Sequence, residues 1–228
     1  MKSANFKHID NFFNGSLIET ARKFGYSIEN ILILEMNEIK LKSDFPETYN
    51  NLLTCEHQRD NRSIMEYAQD LVCSWVFEDF LISSLRMNGL EVELVGEDRT
   101  RKILRSAKVS AHSDFLLKSR NKKLYIELAN DYSGYWIRKL QVDLRDDKYM
   151  KLKSKIAKSC GSVLLGIDFK NRKYFIHDLS EKANVKYIEF HYPYSKPAYS
   201  IELSNNSFFD FSFQAICEDL LKRFDEFD

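Results

Sequence analysis

The sequence predicts an α/β (α+β) fold in which a mixed central β-sheet is flanked by helices. Helical and strand-like segments alternate over most of the chain, which is the pattern of proteins that layer helices on a sheet. One run, VLLGID at 163–168, is apolar without alternation, as expected of a strand buried on both faces. A chain of 228 residues, of which 44% are hydrophobic, can enclose such a sheet in a single core.

The first part of the chain is expected to be a helical portion at residues 1–62. It is joined to a core with a C-terminal elaboration at 63–228, in one compact domain. Residues 9–24 are amphipathic and predict a helix. The apolar segment 28–39 is left open between helix and strand. Residues 43–61 are polar and contain a proline, which predicts a loop or a frayed helix.

A long helix is predicted to begin after Ser63. Ser63 and Glu66 form the S-x-x-E capping-box pattern ahead of an apolar run with helical spacing, and Gly89 supplies the expected C-terminal stop. Glu78 falls on the apolar face of this helix, where a carboxylate is rarely unpaired. Glu78 is therefore a functional acid, a helix-edge side chain that reaches water, or the partner of an arginine.

The rest of the chain divides into strand-like and helical runs. Apolar alternation or continuity predicts strands at 90–95, 108–118, 123–129, 163–168, 173–178 and 185–191. Helices are predicted at 143–158, before a stop at Gly161, and at 213–224. A charged loop is expected at 96–105.

Composition argues against several classes of protein. The 34 basic and 34 acidic residues cancel, which disfavours a histone-like binder but not an enzyme with local charge clusters. The 4 cysteines are scattered without a CxxC pair, which favours reduced thiols in a cytoplasmic protein over a zinc site or disulfides. No membrane span or signal peptide is expected, and the lack of a GxGxxG or Walker sequence indicates no nucleotide cofactor.

Two acids are predicted to oppose each other in a β-hairpin. A turn at 119–122 pairs Lys118 with Lys123, and the same register pairs Asp114 with Glu127. Both acids interrupt apolar runs, and two carboxylates on one face repel each other unless a cation lies between them. The pattern predicts a Mg²⁺ site, since this ion prefers carboxylate oxygens completed by water and phosphate. The alternative is that one acid is exposed and solvated.

The helix with Glu78, the strand with Asp114 and the hairpin partner with Glu127 resemble the PD-(D/E)XK nuclease superfamily, in particular type II restriction endonucleases. The resemblance covers residues 65–178 and implies a restriction-endonuclease-like core. Within it, Asp114 matches the Asp of the PD element, with Ser113 where proline is usual. Glu127 matches the acid of the (D/E)XK triplet.

Ala129 stands where this family commonly has lysine, so the resemblance implies that the catalytic amine comes from elsewhere. The candidates lie on the following predicted helix, Lys148 first and Lys151 second, with a solvated helix face as the alternative for both. Asn130 is a weaker, water-positioning candidate. The resemblance further implies that Mg²⁺ is held by the two acids and the Leu128 carbonyl, with Glu78 holding a second metal or the water network.

By this resemblance the protein is a sequence-specific endonuclease that acts on double-stranded DNA as a homodimer. A repair or junction-resolving nuclease of the same core, and a catalytically decayed DNA-binding protein, remain as alternatives. Contacts to DNA phosphates are expected from the basic residues Arg99, Arg101, Lys102 and Arg105, and from Lys196 in an aromatic segment. Solvated loops are the alternative for both segments. His112 is a further candidate for approaching the phosphate, although a core or surface histidine is the better interpretation.

Overall fold

The computed structural model describes residues 3–55, 62–95, 97–105, 113–119, 122–157, 160–181, 184–192 and 195–226. The first residues of the strand predicted at 108–118, His112 and the centre of the predicted hairpin turn lie outside this part of the chain. The chain divides into two compact units, Met1–Ile82 with Glu97–Ser110 and Ser83–Gly96 with Ala111–Asp228. The domain boundary predicted at residue 62 stays a prediction.

The described part of the first unit is helical. It contains α1 (Ala4–Phe12), α2 (Leu17–Lys23), α3 (Ile28–Leu34), α4 (Glu38–Asp44), α5 (Pro46–Leu53) and the first part of α6 (Ile64–Met87), followed by a 3₁₀ turn at Glu97–Thr100. The single helix predicted at 9–24 is wrong, because Asn14 and Gly15 take left-handed backbone angles with φ of 53° and 79°. The segment 43–61, predicted as a loop or a frayed helix, contains α5, whose first residue is Pro46, a position where a missing N–H costs nothing.

The predicted start and end of α6 are confirmed. The Glu66 N–H donates to Ser63 Oγ at 3.2 Å, and the Ser63 N–H donates to Glu66 Oε2 at 2.9 Å, which completes the capping box. At the other end Gly89 has a φ of 84°, and the Leu90 N–H donates to the Leu85 carbonyl at 3.2 Å. Among the described residues, no helix is both long enough and apolar enough to cross a membrane.

The described part of the second unit contains two sheets. Its further elements are β1 (Glu91–Leu94), β2 (Phe115–Ser119), β3 (Lys122–Asp131), α7 (Tyr135–Lys139), β4 (Gln141–Arg145), α8 (Asp146–Lys153), β5 (Cys160–Asp168), β6 (Lys173–Asp178), β7 (Val185–His191), β8 (Lys196–Glu202), β9 (Phe209–Asp210) and α9 (Phe213–Glu226). The larger sheet has the order β1-β2-β3-β5-β6-β9, and β3 and β5 run parallel while the other neighbours are antiparallel. This mixed sheet flanked by helices confirms the predicted fold class.

The smaller sheet, with the order β4-β8-β7, corrects two sequence predictions. The helix predicted at 143–158 begins later than predicted, at Asp146, the first residue of α8. The residues before it form the strand β4, in which Val142 and Leu144 are the buried side chains. Gly161 does not stop a helix but lies within β5. The aromatic segment around Lys196, predicted as a loop, enters β8 at Lys196 itself, so the sheet gains an unpredicted strand.

An apolar cluster lies where α7, α8 and the two sheets meet. Its buried members are Trp136, Val142, Leu144, Tyr149, Leu152, Leu164, Phe175, Leu179 and Ile201. Ala129 packs against this cluster and lies opposite Gly166 on β5. Gly166 is required there, because a Cβ atom would come within 2.0 Å of the Phe175 ring. This end of β3 therefore faces close-packed hydrocarbon.

Candidate active site

The β2–β3 hairpin has the register that the turn length predicts. Lys118 lies opposite Lys123, and Phe115 lies opposite Ile126. Asp114 immediately precedes β2, at the position that continues this register to Glu127. The carboxylate of Asp114 is oriented by the backbone, because its Oδ2 accepts a hydrogen bond of 2.7 Å from the Leu128 N–H.

Glu127 is a buried carboxylate, with 4% of its surface exposed, in the middle of β3. One of its oxygens, Oε1, forms an ion pair with the Lys148 ammonium on α8. The other oxygen, Oε2, has no hydrogen-bond partner among the described residues. A buried carboxylate oxygen without a donor is costly, so this position favours a proton or a cation.

The electrostatics of the site are dominated by burial. Burial and then the Asp114 carboxylate raise the pKa of Glu127 to about 8, although the Lys148 ammonium opposes this shift. The same two carboxylates raise the pKa of Lys148 above its ordinary value in spite of its burial, so Lys148 stays cationic at neutral pH. With all three groups ionised the net charge of this cluster is −1, so one further positive charge would neutralise it.

Ala129 explains why the amine of this site comes from a helix. Side chains at 127 and 129 project from the same face of β3, since successive residues alternate. A lysine at 129 would enter the apolar cluster, whereas α8 crosses the strand and carries Lys148 directly to Glu127. The structure therefore places the first of the two predicted lysines at the acid pair.

The other predicted residues of this region have separate positions. Lys151 lies one turn beyond Lys148 on α8, and its ammonium adds to the lowering of the Lys155 pKa that burial causes. Leu128 is buried and donates its N–H to Asp114, while the role of its carbonyl as a metal ligand stays a prediction. The Asn130 Oδ1 is buried without a hydrogen-bond partner in the described part of the chain.

Lys155 is a residue of this region that the sequence prediction missed. Its Nζ donates to Ser113 Oγ at 3.2 Å and lies 4.2 Å from the centroid of the Tyr125 ring. Burial lowers the pKa of Lys155, and the Glu127 carboxylate opposes this shift. The helix predicted at 143–158 includes Lys155, but α8 ends at Lys153, so the helical spacing of the sequence gave no signal for this contact.

Glu78 belongs to the first unit, where it pairs with an arginine. The Arg101 guanidinium lies 2.8 Å from Glu78 Oε2 and 2.5 Å from Asp79 Oδ1, and Tyr26 donates to Asp79 Oδ2 at 2.5 Å. The pairing matches the arginine alternative for Glu78, and its catalytic role stays a prediction. A cleft of about 480 Å³ in this unit includes Asp79 and Arg101 in its lining.

The predicted DNA contacts differ in their exposure. Arg101 is 11% exposed and held by two carboxylates, so it does not present its charge to solvent as the prediction required. The other four are exposed on the surface: Arg99, Lys102, Arg105 and Lys196. Their contact with DNA stays a prediction.

The acid pair fits a hard divalent cation of the kind that keeps much of its own hydration. Among the described residues, no group of three or more His, Cys, Asp or Glu side chains could form a closed metal cage. Mg²⁺ does not need one, because it commonly takes one or two carboxylates and completes its shell with water and phosphate. Glu127 Oε2, buried beside Asp114 and without a donor, is suited to such an ion.

Comparison with solved structures finds distant likenesses. No family model and no curated protein matches this chain. Among solved structures, the chain is similar to Hjc, a Holliday junction resolvase from the archaeal hyperthermophile Archaeoglobus fulgidus, with 14% identity and a TM-score of 0.34. The match covers 55% of this chain and 86% of that protein. At this TM-score the likeness establishes neither fold nor activity, and the comparisons assign the chain to no family.

Proposed function

We propose that this protein hydrolyses phosphodiester bonds of DNA with a divalent cation, Mg²⁺, at Asp114 and Glu127. One observation carries the proposal. Glu127 is buried between the Lys148 ammonium and the Asp114 carboxylate, and its second oxygen lacks a hydrogen-bond partner among the described residues. Two acids and an amine at one buried point are costly for stability alone, and such groups cluster at sites of chemistry.

Each of the three residues has a distinct role in this proposal. Asp114 and Glu127 hold the cation together with the Leu128 carbonyl, and the Leu128 N–H keeps the Asp114 carboxylate oriented. When bound, the cation polarises the scissile phosphate and lowers the pKa of the attacking water. Lys148 favours the ionised form of Glu127, and its remaining N–H donors stabilise the negative charge that develops on the phosphate.

The finer proposal concerns the substrate. We propose double-stranded DNA cut at a specific sequence by a homodimer, because the arrangement of acids resembles that of type II restriction endonucleases. The exposed cations Arg99, Lys102, Arg105 and Lys196 would contact backbone phosphates. A branched DNA junction is the alternative substrate for the same chemistry.

A cleavage assay tests both levels of the proposal. The protein is incubated with plasmid DNA and, separately, with a labelled four-way junction, in Mg²⁺ or in EDTA. We expect cleavage only in Mg²⁺, and we expect Asp114→Asn and Glu127→Gln to abolish it. Asp210→Asn is the matched control, because Asp210 is a strongly exposed acid on the far edge strand of the same sheet.

The pattern of products separates the outcomes. Discrete plasmid fragments would support sequence-specific cleavage, and symmetric cuts in the junction alone would support the alternative substrate. If folded wild-type protein cuts neither substrate in Mg²⁺, or if the two acid variants cut as fast as wild type, the hydrolase proposal fails.

A further inference from the structure

Lys155 is a cation of the second unit to which the proposed chemistry assigns no role. It follows the last turn of α8, with its ammonium between the Ser113 hydroxyl and the face of the Tyr125 ring. In the part of the chain that the structure describes, it forms no ion pair with a carboxylate. A hydroxyl and an aromatic ring hold an ammonium in place without neutralising its charge.

Two other lysines of the same unit are neutralised by carboxylates. Lys148 pairs with Glu127, and Lys173, whose side chain is 33% exposed, pairs with Asp210 at 2.8 Å. Burial, and then the neighbouring Lys151, lower the pKa of Lys155, and the Glu127 carboxylate offsets only part of this shift. A partly desolvated ammonium in this state gains from an anion that arrives from outside the chain.

The position of Lys155 relates it to the acid pair. Lys148 on α8 contacts Glu127 on β3, and Lys155, in the turn that follows α8, contacts Tyr125, two residues earlier on the same face of that strand. Two residues of a strand correspond to about 7 Å. Because each nucleotide of one DNA strand rises by about 3.4 Å, this spacing corresponds to phosphates about two nucleotides apart.

We propose that Lys155 binds a phosphate of the DNA strand that is cut, about two nucleotides from the phosphate at Lys148. Tyr125 and Ser113 position its ammonium for that contact. This inference rests on the proposed function and adds a substrate-binding residue to it, distinct from the residues that perform the chemistry.

The test compares three lysine variants. Lys155→Met keeps the aliphatic packing on Tyr125 and removes the charge, Lys155→Arg keeps the charge, and Lys173→Met removes one charge far from the acid pair. Steady-state cleavage gives KM and kcat. Fluorescence anisotropy gives the Kd of a labelled duplex in EDTA, where the strand is not cut, between about 50 and 200 mM salt. Circular dichroism checks that all three variants are folded.

We expect Lys155→Met to raise KM and Kd about tenfold with kcat within about twofold of wild type, and to reduce the salt slope of log Kd by about 0.9. Lys155→Arg should stay within about threefold of wild type, and Lys173→Met should match wild type. If Lys155→Met leaves KM, Kd and slope unchanged, or lowers kcat alone, the phosphate contact is disproved.

The inference and the proposed function fail in different ways. Wild-type cleavage with an unaffected Lys155→Met variant overturns the inference and leaves the hydrolase proposal standing. No cleavage by wild type, combined with a salt slope that falls in Lys155→Met but not in Lys173→Met, overturns the hydrolase proposal and supports the phosphate contact.

Discussion

The Lys148 ammonium contacts the buried carboxylate of Glu127, which joins α8 to the central strand β3 at the acid pair. This contact replaces a lysine at position 129, where the side chain would enter the apolar cluster. An amine on α8 contacts Glu127 instead.

Removal of the Lys148 amine should affect catalysis more than removal of its neighbour. We expect Lys148→Met to lower kcat about 100-fold or more, as loss of one preorganised donor does. Cleavage kinetics with saturating DNA and Mg²⁺ measure this change. The comparison variant is Lys151→Met, on the same helix one turn away. An equal loss in both variants would mean that the helix, rather than the Glu127 contact, matters.

Arg101 should matter for stability. Arg101→Met removes the guanidinium that pairs with Glu78 and Asp79, and we expect a loss of about 3–5 kcal/mol in the free energy of unfolding. The matched control is Arg22→Met, because Arg22 also pairs with two acids but its side chain is 47% exposed; its loss should stay below about 1 kcal/mol. Urea denaturation measures both, and equal losses would contradict the structural role.

Gly166 should be intolerant of the smallest side chain. In Gly166→Ala the new Cβ atom would meet the Phe175 ring, and we expect a loss of about 1–3 kcal/mol in the free energy of unfolding. Phe175→Leu in the same chain removes the part of the ring that clashes, so the double variant should lose less than the sum of the two single variants. If the loss in the double variant, measured by urea denaturation, equals the sum of the two single losses, the Cβ atom at position 166 does not clash with the Phe175 ring.

His177 should make stability depend on pH. Burial lowers its pKa below the ordinary value of 6.5, with Arg223 acting in the same direction and with Glu181 and Asp178 opposing. Below pH 6.5 the unfolded chain therefore binds more protons than the folded chain, so the free energy of unfolding decreases as the pH falls from that value.

The variant His177→Gln should have a weaker loss of stability towards low pH. Thermal unfolding between pH 7 and about pH 5 measures this, across the ordinary titration range of histidine. His8→Gln, a substitution on α1, is the control and should keep the wild-type pH dependence. An unchanged pH dependence in His177→Gln would show that other groups set it.

Local patterns in the sequence determined several features of this protein. The capping residues and the apolar period defined α6, and the length of the hairpin turn defined the register that brings Asp114 beside Glu127. These predictions succeeded because capping and hairpin pairing depend on residues that are near one another in the chain. The strand β4 was missed because a charged, half-buried strand that leads directly into a helix has the composition of the helix.

Only the tertiary structure decided which long-range partners these residues have. The sequence offered Lys148 first and Lys151 second on a predicted helix, and in the structure Lys148 forms the ion pair with Glu127. The sequence allowed Glu78 three roles, and in the structure Glu78 forms an ion pair with the mostly buried guanidinium of Arg101. Charges buried between elements take their partners from the packing of those elements, and this packing depends on the whole core.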